Sequence, residues 1–158
     1  MLPIELRELL NDLDAAPVEC DGMCRLITTR LQEQGIAHQV MVGNVKLNDS
    51  VIPLHYWIQV GELTVDYRAR MWLGESPLVP HGIFRQDTCA ARYEGHETQM
   101  DALHPTIFNM MCVPMPKAML EALQTQEDNF RKAHGHLVDR EPPSAQPSDP
   151  IKGLKHER

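Results

Sequence analysis

The sequence predicts an α+β domain. Two helical patterns open the chain, three strand-like patterns follow, and two more helical patterns come after a stretch of weak periodicity. The hydrophobic period changes from 3.6 to 2 near residue 38, which separates the helical part from the sheet-forming part. Tight connections between the strand patterns make the sheet antiparallel.

Residues 3 to 14 read as an amphipathic helix, with Ile4, Leu6, Leu9, Leu10 and Leu13 along one stripe. Pro3 suits the first turn, where its missing N–H costs nothing, and Pro17 ends the segment. A second helix is predicted over residues 22 to 34, with Met23, Leu26, Ile27 and Leu31 inward, Asp21 as its N-cap and Gly35 as its stop. Residues 38 to 47 form a first strand with a bulge at Gly43, residues 54 to 60 a second and residues 63 to 70 a third. Asn48-Asp49-Ser50 and Gly61-Glu62 are the turns between them. Residues 74 to 77 and 79 to 82 look like loops, and 91 to 93 a short strand. Residues 105 to 112 and 116 to 126 read as the last helices.

The length of 158 residues suits one domain, expected over residues 1 to 133. Residues 134 to 158, with Pro142, Pro143, Pro147 and Pro150, have little to bury and are expected to form a mobile tail. A net charge of −7 excludes the phosphate-neutralising chemistry of nucleic-acid binding. No stretch approaches the roughly 18 apolar residues of a membrane span, and the first residues lack the basic and apolar blocks of a secretory signal. The expected setting is therefore cytoplasmic, with Cys20, Cys24, Cys89 and Cys112 as thiols and the last two buried and inert.

A two-residue turn at Gly61-Glu62 places Trp57 opposite Asp66 and His55 opposite Arg68. Alternation then puts Tyr56, Ile58, Val60, Leu63, Val65 and Tyr67 on one face, all suited to a core. The other face carries His55, Trp57, Gln59, Thr64, Asp66 and Arg68. His55 and Asp66 become diagonal neighbours, roughly 7–8 Å apart at the backbone, within reach of two side chains.

A thiol near a helix N-terminus, a strand histidine and a carboxylate on the next strand are the parts of a nucleophilic triad. Cys24 is the expected nucleophile, His55 the general base and Asp66 the group that orients the imidazole. Trp57, His81 and Arg68 are weaker candidates for contacting substrate. Each has a bland alternative: core thiol, structural histidine, surface ion pair. A Cys20/Cys24 pair would also suit zinc, but no second pair at ligand spacing appears, so neither metal nor cofactor is expected.

Gly22-Met23-Cys24 heading a helix, Gly35-Ile36 leading into a strand, His55-Tyr56-Trp57-Ile58 and then Val65-Asp66 resemble the transglutaminase-like superfamily of papain-like cysteine enzymes. The resemblance spans roughly residues 20 to 72. It implies a cysteine-bearing helix packed on a small antiparallel sheet that carries His and Asp. It also implies an amide hydrolase or acyltransferase (a protease, deamidase or transglutaminase-like enzyme) working through a thioester on a protein, peptide or small amide. The papain branch proper has a Gln several residues before its Cys, where this chain has Val18 and Glu19. The alternative is a non-catalytic adaptor or inhibitor on the same scaffold, to which an acidic surface and a Pro-rich end are suited.

Overall fold

A computed structural model describes residues 2–114 and 117–138. They fall into two units that divide after Met115. The first is a mixed α+β unit. It contains α1 (Pro3–Leu10), α2 (Cys20–Glu33), β1 (Gln39–Leu47), β2 (Ser50–Val60), β3 (Leu63–Asp66), α3 (Ala69–Leu73), β4 (Gly82–Phe84), β5 (Arg92–Thr98) and α4 (Pro105–Cys112). The second contains α5 (Lys117–Val138).

The domain was expected to end at residue 133; residues 134–138 belong to α5, and the rest of the expected tail, residues 139–158, lies outside the described residues. Among the described residues, no helix is long and apolar enough to cross a membrane.

The strands pair antiparallel in the order β4-β3-β2-β1-β5. The hairpin has the expected register, with Ile58 opposite Val65, Gln59 opposite Thr64 and Val60 opposite Leu63. Its apolar face meets α1 and α2: Leu6, Leu10, Met23, Leu26, Ile27 and Leu31 pack against Val40, Ile58, Val60, Val65 and Tyr67. This burial is the main driving force for folding.

The third expected strand is shorter than its sequence pattern. It stops at Asp66, and residues 69–73 turn into α3. The bulge lies between Gly43 and Val45 of β1, where β2 carries the extra residue in Pro53-Leu54. Proline lacks the N–H that a ladder needs, so this is where pairing gives way.

The second face of the sheet, expected to gather the polar groups, is buried as well. His55, Thr64, Asp66 and Arg68 lie there with Val45, Ile52, Trp57, Ala69 and Val79. Curling of the sheet explains it. In a flat sheet β4 and β5 would stand roughly 19 Å apart at the usual strand spacing. Instead Phe84 of β4 and Tyr93 of β5 meet with ring centroids 5.8 Å apart. The sheet wraps onto its own concave face, and the polar residues of the hairpin end up inside.

Two glycines make room within the curl. Gly43 lies between His55 on β2 and Gly95 on β5, so this row presents no side chain beside the imidazole. A Cβ on Gly95 would stand 2.7 Å from the Trp57 ring, and one on Gly43 would strike the Glu94 carbonyl. Gly95→Ala is expected to destabilise the unit by about 2 kcal/mol or more through overpacking. A chemical denaturation midpoint equal to that of the wild type would contradict this account of the curl.

Candidate active site

β3 ends where the chain needs an acceptor, and Asp66 supplies it. Its Oδ1 accepts the backbone N–H groups of Arg68 (2.8 Å) and Ala69 (3.1 Å), which open α3 without intrahelical partners. Its Oδ2 accepts His55 Nε2 at 2.7 Å and the Tyr93 hydroxyl at 2.8 Å. Asp66 is 3 % exposed and His55 is fully buried. A buried carboxylate needs such partners, because the cost of leaving water is recovered only through charge-assisted hydrogen bonds.

The pair sets the state of the imidazole. Burial alone would lower its pKa. The hydrogen bond to Asp66, a contact with the Cys20 thiol and the charges of both outweigh burial and push His55 up to about 9. With Nε2 given to Asp66, Nδ1 is the other nitrogen, and it has no hydrogen-bond partner of good geometry among the described residues. Cys20 is the second side chain that acts on the ring.

This redistributes the expected triad. His55 and Asp66 come together, and Cys20 and Cys24 both lie close to Asp66 in one tight pocket; of the two thiols, Cys20 is the one that acts on the imidazole. Helix α2 begins at Cys20, two residues before the expected start, with Glu19 as N-cap and Asp21 inside the first turn. Cys20 is the half-buried first residue of the helix. Cys24 sits one turn deeper, 2 % exposed, in the core against the sheet. Burial first, and then the charges of Asp66, Cys20 and Asp21, push its thiol well above the usual range. Nothing there favours a thiolate, so Cys24 is a core thiol.

Arg68, expected as a substrate contact, is a structural clamp. Its five donors are all engaged, by Val18 O, Asp14 Oδ1, Tyr67 O, Asp14 O and Ala16 O at 2.7–2.9 Å. It therefore has none left for a ligand. What it does is fasten residues 14–18, the segment leading into α2, to the end of β3, and so it fixes where Cys20 stands.

Trp57 is likewise not a cleft wall. It is 2 % exposed, lies nearly parallel to His55 with centroids 6.5 Å apart, and meets Tyr93 edge-on at 5.1 Å. It packs the imidazole from within the curl.

His81 does border open space. Its Nε2 pairs with Asp14 Oδ2 at 2.8 Å, and it lines a cleft of about 720 Å3 with Glu19, Tyr67, Arg70, Met71 and Glu75. Glu19, the residue before Cys20, brings that cleft next to the thiol in sequence. The gap among Cys20, Met23, Cys24, Ile27, Tyr56 and Asp66 is too tight to admit even a water molecule.

The other two thiols are half-buried rather than sealed. Burial raises both, and the Cys89 thiol donates to carbonyls of Gln86 and Ala91. Among the described residues, no three His, Cys, Asp or Glu side chains gather as metal ligands would, so the Cys20/Cys24 pair has no further ligands. No family model, curated protein or solved structure matches the chain.

Tyr93 has no functional place in the sequence reading, and Cys20 is weighed there only as a zinc partner of Cys24. Tyr93 carries no local signature, because its contact with Asp66 exists only through the curl. Cys20 had a signal in Glu19 and Asp21, two acids suited to opening a helix.

Two predictions follow from these contacts. Arg68→Ala strands the Asp14 carboxylate and four backbone carbonyls, and is expected to cost about 3 kcal/mol in denaturant unfolding. The His55 pKa is raised in the folded state, so its contribution to stability is complete below about 6.5 and is lost as pH rises through about 9. His55→Gln should remove that loss, worth about 3 kcal/mol at most, from unfolding curves measured between pH 6 and pH 10.

Proposed function

We propose that the first unit is a cysteine-dependent amide hydrolase or acyltransferase with Cys20 as nucleophile, His55 as acid and base, and Asp66 as the orienting carboxylate. The observation that carries this reading is the His55 ring. It is fixed to Asp66 through Nε2 and raised to about 9, with a half-buried thiol at a helix start acting on it. A cysteine-bearing helix laid on an antiparallel sheet supports a papain-like core of the transglutaminase-like kind. A cytoplasmic setting, which keeps thiols reduced, suits a nucleophilic cysteine.

In this reading the Cys20 thiol proton passes to Nδ1, giving a thiolate beside an imidazolium. The sulfur attacks the amide carbonyl carbon and forms a C–S bond, while the carbonyl electron pair moves onto oxygen. The Cys20 backbone N–H, at the first residue of α2 and so without an intrahelical acceptor, is the donor assigned to that oxyanion in this reading. Collapse breaks the C–N bond, and Nδ1–H protonates the leaving amine. Water or an amine then attacks the thioester while the neutral imidazole takes its proton, and the C–S bond breaks to restore the thiol.

The second reading is a binding protein on the same scaffold. The burial of Cys24 favours it, since that removes the nucleophile the sequence pointed to, and the enzymatic reading stands only through Cys20. Reaction with iodoacetamide near neutral pH separates the two. Cys20 should be labelled at least tenfold faster than Cys24, Cys89 or Cys112, and His55→Gln should abolish the preference. Labelling of Cys20 no faster than Cys89 would favour the binding protein. For any amide substrate, Cys20→Ala should remove turnover and Cys24→Ala retain it. Turnover should also fall as pH rises through about 9, where the imidazolium that protonates the leaving group is lost.

A further inference from the structure

We propose that Tyr93 is a positioning residue of this site, a fourth member that holds Asp66 and sets how tightly His55 keeps its proton. The inference extends the catalytic reading above and rests on it for its purpose, but not for its geometry. The Tyr93 hydroxyl donates to Asp66 Oδ2, the same oxygen that accepts His55 Nε2. Two donors on one oxygen compete for its charge. Every increment of hydrogen bonding from the phenol leaves less negative charge opposite the imidazolium.

The ring is held for this task. It meets Trp57 edge-on at 5.1 Å and Phe84 at 5.8 Å, and Trp57 in turn lies against His55. The hydroxyl also stays a donor, because burial first and then Asp66 raise the phenol far above its usual range. Of the groups around the imidazole, Asp66 on β3 and Cys20 on α2 act on it directly. Tyr93 acts from β5, through Asp66.

The test follows the His55 C2 proton by NMR titration in the full chain, with the signal assigned by its loss in His55→Gln. Tyr93→Phe removes the competing donor and should raise the His55 midpoint by about one pH unit. Replacing Tyr93 by 3,5-difluorotyrosine supplies a stronger donor and should lower the midpoint below that of the wild type. Opposite shifts support the proposal. Unchanged midpoints, or shifts of the same sign, overturn it, because a purely structural ring would give one or the other. If Tyr93→Phe does not fold, the fluorinated protein decides alone. The outcome is separable from the catalytic reading. Opposite shifts with an unreactive Cys20 would leave the Tyr93 coupling standing and remove the enzyme. A reactive Cys20 with unmoved midpoints would do the reverse.

Discussion

One buried carboxylate organises the first unit. Asp66 takes four hydrogen bonds, from the imidazole of β2, the phenol of β5 and the two backbone N–H groups that open α3. Each donor would be costly to leave unpaired in the interior, and so would the carboxylate. The strand ends, the helix begins, and the histidine rotamer is chosen at the same atom pair. Local structure and candidate chemistry therefore share a single electrostatic origin.

Arg68, two residues along and on the same face, extends this logic to the thiol. A guanidinium with five satisfied donors is a planar bracket, and a lysine could not replace it. It binds residues 14–18 to the end of β3 just before Cys20 enters α2. The half-buried cysteine thus stands where it does because a charge beside the preceding segment organises the incoming chain. Asp66 and Arg68 together convert hairpin register into a position for a helix terminus.

The hairpin could be read from the residues because turn and alternation agree. Gly61-Glu62 permits a two-residue turn, and a one-residue slip would have buried Gln59 and Thr64 among the helices. His55 and Asp66 came with that register. The choice between Cys20 and Cys24 could not be made as safely. An aspartate suits both the cap and the first turn of a helix, so Asp21 is compatible with two starting frames that expose different thiols. Arg68 and Tyr93 were harder still. Their partners lie 50 to 54 and 27 residues away, apart from the Tyr67 carbonyl next to Arg68, and only the closed sheet brings them into range. The same curl buried the face on which alternation gathers the polar residues.

The curl also protects the molecule from its neighbours. An open sheet offers two rows of unsatisfied amides to any strand that approaches, and this one leaves little to take hold of. β4 runs for only three residues, and β5 carries Arg92, Glu94 and Glu97 along its length. With Phe84 and Tyr93 drawn together from opposite margins, those rows do not lie in the flat, stackable geometry on which fibrils grow. The wrapping that encloses an ionised pair thereby doubles as a safeguard against self-association.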